Sequence, residues 1–468
     1  MDGKILLGAL MPHPPLIIPD IGGEETAMVR DTADAMLRAA QDLVQASPDV
    51  VVVISPHGPM FEDAVTIMGG DVLQGDLAEF QSDVTFSYQS DVELAAEIVK
   101  TAEDRDVSLY LMDDSLKAEF GIASEVDYGA GVPLYFLEKA GYTGPIVLLC
   151  PGGVSAEMLY RAGMCVQTAV QNLGRRAVVL ASGDNSHALA QDAPMGFREE
   201  GVEFDAALQE CLRDSDLARL LTLDESMLEA AAEDTVGSMT VLCGAFDRVP
   251  LASQLLSYEG PFGVGYTVAT VTPKGGDGVS LLPNIIESRA ERLEEIRASE
   301  TPFVRLAREA LETYVKEEKV IAPPTLMPEE MKRTGGCFVS IKQLGRLRGC
   351  IGTVDAVTPT LAEEIIRNAI EAGIADDRFF PVEENELDEL IYKVDVLEPE
   401  KPVTDTSELN PRIYGLIVQK GDRSAVLLPD LEGVNTVEEQ LMYAKEKAGI
   451  AQDEEGVELF RFRVTRYT

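Results

Sequence analysis

The segment VVVVISPHGPM, residues 50–60, decides the fold. It opens with five consecutive apolar residues, four valines and an isoleucine. That length and composition suit a strand and fall short of a helix. A strand apolar on both faces needs cover on both, as in a sheet held between helical layers. The run stops at Ser55, Pro56 and Gly58, so His57 stands at a strand exit. Two further segments repeat the arrangement. LLGALMPHPPL (6–16) carries His13, and AVVLASGDNSHAL (177–189) carries His187. No other histidine occurs in the 468 residues. In an open α/β sheet the crevice beyond the carboxyl ends of the strands is where ligands bind. Three imidazoles confined to such exits point to one site.

Working outward, strands are expected at Lys4–Leu10, Pro145–Leu149 and Ala177–Ala181, and an amphipathic helix over Glu24–Ala46. Residues 1–272 therefore read as an α/β domain with a mostly buried central sheet and helices on both faces. The turn-rich Val271–Ser280 and a polar helix at Ile286–Ala298 make 273–301 a linker with a bridging helix. Residues 302–468 read as α+β. There a helix is expected at Pro302–Val315, another with Thr358 as cap and Pro359 in its first turn, and a third capped by Thr436 and Glu439. Strands are expected at Cys337–Ile341, Tyr392–Leu397, Gly415–Gln419, Ala425–Leu428 and Val457–Thr465.

The net charge of −42 argues against a nucleic-acid backbone as partner, because phosphate binding needs a basic face. No apolar stretch reaches bilayer length, and the N-terminus reads as the first strand rather than a secretory signal. Six cysteines without a C-x-x-C pair imply free thiols in a reducing compartment. The expectation is a cytoplasmic protein with neither nucleic acid nor membrane as partner; a homo-oligomer is compatible with the sequence.

Two histidines and one carboxylate facing a cavity form the arrangement of non-haem Fe(II) sites with open coordination positions. His13 and His57 are the expected nitrogen ligands, their prolines fixing the backbone around them. Glu233 is the preferred acid, with Asp234 and Glu259 as rivals. His187, set among small polar residues, is assigned as the acid/base and second as a further ligand. Asp184 is read first as a helix cap and second as the group orienting His187.

Residues 1–272 resemble the LigB-type class III extradiol dioxygenase superfamily, which includes the MEMO-like proteins. MPHPPLIIPDIG, ISPHGP, VPLYFL, SGDNSHAL, APMGFREEGVEFD and YEGPFGVGY carry the resemblance. It implies that His13 and His57 bind iron, that His187 is the catalytic base, and that the third ligand lies near Glu233. It also implies O2-dependent opening of a catechol ring, with a small aromatic substrate and Fe(II), another divalent metal being the alternative. Two departures stand out. Tyr128 aligns where these dioxygenases often carry histidine, so a weaker base fills that catalytic position. MEMO-like relatives carry cysteine near the position of Asp234.

Residues 302–468 resemble the AMMECR domain family, through TPFVRLAREALETYV, GCFVSIKQLGRLRGCIGT, TLAEEIIRNAIEAGIADDRFFPV, ELDELIYKVDVLEP and LLPDLEGVNTVEEQL. The hallmark is LRGCIG, Leu347–Gly352. The fused pair is similar to proteins of the AmmeMemoRadiSam system, which implies a radical SAM partner. The alternative to catalysis is a metal- or peptide-binding scaffold working with that partner. Cys350 reads first as structural; as a reactive thiol it would rely on Arg348 to lower its pKa. Asp377 and Arg378 read as a surface ion pair or as lining a groove with Arg348.

Overall fold

The computed structural model describes the chain except residues 1, 2, 123, 124, 430, 432, 433, 435 and 455. Part of the LLPDLEGVNTVEEQL segment thus lies outside the described residues. The chain divides into two compact units, Met1–Ala290 and Glu291–Thr468. The division falls inside the helix Leu282–Ser299, which contains the expected bridging helix.

The N-terminal unit is built on strands β1 (Lys4–Met11), β2 (Val50–Ile54), β3 (Val65–Met68), β4 (Val72–Asp76), β5 (Thr85–Gln89), β6 (Leu109–Met112), β7 (Ile146–Cys150), β8 (Arg176–Ser182), β9 (Leu251–Glu259) and β10 (Tyr266–Pro273). Its main sheet runs β6-β3-β7-β2-β8-β1-β10-β9, and β4 and β5 pair separately. β7, β2, β8 and β1 are parallel, while β10 lies antiparallel beside β1. The valine run of β2 works as its composition predicts. Val50, Val52 and Ile54 join one apolar cluster, Val51 and Val53 the other. Helices Val92–Glu103, Ala156–Asn172 and Thr235–Ala245 contribute to the first layer, Arg30–Gln45 and Tyr128–Lys139 to the second. The long helix expected from Glu24 begins only at Arg30, after 3-10 turns over Glu25–Val29.

The C-terminal unit is α+β. Helices Pro302–Glu317 and Leu361–Ile374 cover one side of a sheet containing Cys337–Gln343, Arg346–Gly352, Ile391–Leu397 and Val464–Tyr467. A second sheet joins Lys401–Pro402, Glu458–Phe462, Gly415–Lys420 and Arg423–Leu427. The single strand expected at Val457–Thr465 is thus two strands in two sheets. Thr360, not Thr358, caps the helix Leu361–Ile374, through a capping box with Glu363. Thr358 instead donates to the buried carboxylate of Glu364. The capping box of Thr436 and Glu439 forms as expected.

Candidate metal centre

β2, β8 and β1 are neighbours and parallel, so their carboxyl ends share one edge of the sheet. His57 follows β2, His13 follows β1, and Asp184 and His187 follow β8. The edge gathers residues as far apart in the chain as His13 and His187.

Three donor atoms meet there. His13 Nε2 and His57 Nε2 are 2.9 Å apart. Asp234 Oδ2 lies 3.4 Å from the first and 3.2 Å from the second. His13 is buried, and its ring lies edge-on to His57, with centroids 4.6 Å apart. The tautomer of His13 follows from its partners. Ser182 Oγ donates its one hydrogen to the carbonyl oxygen of Gly129 at 2.5 Å. It must then accept from His13 Nδ1–H, 3.0 Å away, which leaves the Nε2 lone pair facing the cavity. An imidazole lone pair, a second imidazole and a carboxylate at this spacing require a proton or a cation between them. Burial lowers the pKa of His13, but the charges of Asp184 and Asp234 outweigh it and raise it to about 9. The two histidines in turn hold Asp234 below the usual carboxylate range, against the opposing effect of its burial.

Of the three acids expected as rivals, the structure brings only Asp234 to the histidines. Glu233 turns away and accepts from the backbone N–H groups of Thr235 and Val236, both at 2.7 Å, at the start of the helix Thr235–Ala245. Desolvation raises its carboxyl to about 8 against those two donors. Glu259, the last residue of β9, is instead engaged by Thr32, accepting from its N and Oγ1. The preference for Glu233 is corrected on this geometry. The N–H groups of the helix start claim Glu233, which leaves Asp234 as the acid that faces the histidines.

Asp184 caps no helix either; the next begins at Glu199. Its Oδ1 accepts from the backbone N–H of His13 at 2.8 Å. His187 donates from Nδ1 to the carbonyl oxygen of Ala232 at 2.7 Å, leaving Nε2 as its basic nitrogen. The strip 231–235 is fastened to the loop after β8 by His187 N to Ala231 O, Asp184 N to Asp234 Oδ1 and Thr235 Oγ1 to Asp184 O. One hydrogen-bonded seam therefore places both His187 and Asp234.

Tyr128 opens the helix Tyr128–Lys139 and stacks on His57, with centroids 4.4 Å apart and planes at 28°. Its hydroxyl lies 3.0 and 3.2 Å from the two ring nitrogens, a position over the ring face rather than in its plane. Burial, then the charges of Asp234, Asp184 and Asp127, push its phenol upward, so it acts as a donor and not as a base.

Sequence reasoning missed Ser55 and Ser182. Ser55 follows β2 and donates to Asp127 Oδ1 at 2.5 Å; Ser182 ends β8. Both are fully buried. The signal was present: each is the first polar residue after an apolar strand.

In the C-terminal unit, Cys350 carries the hallmark segment. Arg348 does not activate it but forms a two-pronged pair with Glu386, at 2.8 and 3.0 Å. Arg378 pairs with Asp376 rather than Asp377. Burial pushes the Cys350 thiol up.

A mixed, doubly covered sheet with two histidines and an aspartate at its carboxyl edge makes the N-terminal unit an α/β protein with a candidate metal site. Residues 7–269 match the family described as the catalytic LigB subunit of aromatic ring-opening dioxygenase, and 304–467 match AMMECR1. The chain belongs to the LigB family, fused to an AMMECR1 domain. It is 37% identical to Protein CA_C1420 of Clostridium acetobutylicum, over 98% of each chain. A Thermotoga maritima protein is 52% identical over 170 residues, 36% of this chain and 98% of its own length. The crystal structure of an uncharacterized protein from Pyrococcus horikoshii, PH0010, shares 34% identity over 35% of this chain and 88% of its own, with a TM-score of 0.34.

Proposed function

We propose that the N-terminal unit is a non-haem Fe(II) oxidoreductase that opens the ring of a small aromatic diol. The observation that carries this reading is the donor triangle of His13, His57 and Asp234, with sides of 2.9 to 3.4 Å. Ligands about 2.1 Å from a metal and at right angles to one another stand about 3.0 Å apart, which is the facial arrangement of two histidines and a carboxylate. The donor set therefore fits Fe(II), with another divalent metal as the alternative. When bound, the metal supplies a Lewis-acidic, redox-active centre with open coordination positions. His187 Nε2 takes a proton from a substrate hydroxyl, its ring held by Ala232 O. Tyr128 donates a hydrogen bond at the mouth and shields His57 from water.

Metal analysis of protein purified without oxygen, followed by oxygen uptake with a panel of catechols, tests the reading. About one iron per chain and uptake with at least one catechol are expected. If iron content is the same after His13→Ala/His57→Ala, the site is wrong. The stacking of Tyr128, where a stronger base would serve catalysis, favours a second reading. In it the cleft is a metal- or peptide-binding scaffold and the AMMECR1 unit docks a radical SAM partner. Iron bound without turnover of any catechol favours that alternative.

A further inference from the structure

Apart from Arg198 at the end of the loop after β8, whose backbone N–H donates to Ala188 O, the segments that build the carboxyl edge of the N-terminal sheet contain no lysine or arginine. Residues 5–29, 39–99, 118–138, 177–197, 220–247 and 249–273 carry none. They supply His13, His57, Tyr128, Asp184, His187, Asp234 and the turn from β9 to β10. Three of the other cations of this unit have fixed partners. Arg175 and Arg176, at the opposite end of β8, bond Asp91, Glu93 and the carbonyl oxygen of Ala46. Lys117 is buried and committed to Gly69 O, Asp114 and Glu125.

The carboxylates do the reverse. The charged groups acting most strongly on the Tyr128 hydroxyl are Asp234, Asp184, Asp127 and Glu79. Asp127 Oδ2 is buried and accepts no hydrogen bond from the described residues. A bound dication would be balanced by two carboxylates, those of Asp234 and Asp184, which would leave Asp127 and Glu79 as surplus negative charge. The mouth is also aromatic. Phe80 meets Tyr128 edge-on at 5.4 Å, and Glu79 beside it is exposed. A carboxylate on the substrate would find like charge and no partner in these segments. A protonated amine would find the exposed carboxylate of Glu79 and the ring of Phe80, with the buried Asp127 adding negative potential behind them.

We propose that this site selects aromatic diols by the charge of their side chain, admitting amine-bearing ones and rejecting carboxylate-bearing ones. The proposal rests on the aromatic-diol reading above and assigns that reading its substrate class.

The test is calorimetric titration of the full-length, Fe(II)-loaded protein without oxygen. Dopamine, 4-methylcatechol and protocatechuate serve as cationic, neutral and anionic probes. Affinity is expected to fall in that order, by about tenfold from first to last at low salt, and the spread to shrink as ionic strength rises. Glu79→Lys should narrow the spread further. Protocatechuate binding as tightly as dopamine overturns the proposal and leaves ring opening standing. A spread indifferent to both salt and Glu79→Lys also overturns it, because the discrimination would not be electrostatic. If none of the three binds, the aromatic-diol reading falls and the proposal falls with it.

Discussion

The edge of the N-terminal sheet and the surroundings of the LRGCIG strand in the C-terminal unit both gather charged side chains, yet they end in opposite states. Around Cys350 the charges cancel locally. Asp376 accepts from Cys350 N at 2.9 Å and from Arg378 Nε and Nη2 at 2.9 and 2.7 Å, and Arg348 is taken by Glu386. Around His13 each partner satisfies one atom and leaves another free. Ser182 takes Nδ1 and frees Nε2; Ala232 takes Nδ1 of His187 and frees its Nε2. A cluster that satisfies its own charges holds a fold together. A cluster that aims spare lone pairs at one point can hold a ligand.

The sharpest way to break this contrast is to remove the converging atoms. Asp234→Ala or His57→Ala should lower metal affinity by at least about 100-fold, read as metal content after dialysis. Glu233→Ala should keep the metal and cost about 1 kcal/mol of stability, as loss of a helix cap does. Metal lost from the Glu233 variant alone would reverse the assignment.

Asp205 provides the next largest effect. It accepts from Ser186 N and Tyr258 Oη, and burial raises its carboxyl from 3.8 to about 6 against those donors. Its folded pKa is the higher one, so the stability it contributes is complete below about pH 4 and lost as pH rises through 6. The loss amounts to up to about 3 kcal/mol. Denaturation between pH 4 and 7 should show this slope in the parent and a flatter one in Asp205→Asn.

Ser182→Ala, which frees the tautomer of His13, should weaken metal binding by about tenfold without removing a ligand. Unchanged affinity would mean that the hydrogen bond to Nδ1 does not set the tautomer. On the other side of the comparison, Asp376→Ala should cost about 2 kcal/mol in thermal unfolding while leaving metal content untouched. The smallest effect concerns Cys350 itself. With its thiol pushed up by burial, it should alkylate more slowly at neutral pH than a free cysteine. Fast modification would place it with the reactive groups instead.

Much of this was readable in the chain. The valine run of β2 announced a sheet covered on both faces, and the three histidines marked its carboxyl edge, because apolar strands and the turns that end them are local patterns. Glu233 and Asp234 were not separable in this way. They are neighbours of the same chemistry, and which one meets the histidines depends on the seam between 231–235 and the loop after β8. Asp184 was misread for the same reason, since its partner is 171 residues away. Thr358 and Thr360 were confused because both precede the same helix, and only the buried Glu364 takes Thr358 out of the cap.

The sequence by itself determined the two-unit plan, the α/β and α+β classes, the histidine pair and the cation-free segments, all of which depend on residue type and short-range order. The tertiary structure alone decided which carboxylate joins the pair, which nitrogen each imidazole presents and that the Cys350 cluster is closed. Those outcomes depend on where a few hydrogens point, and long-range hydrogen bonds set their direction.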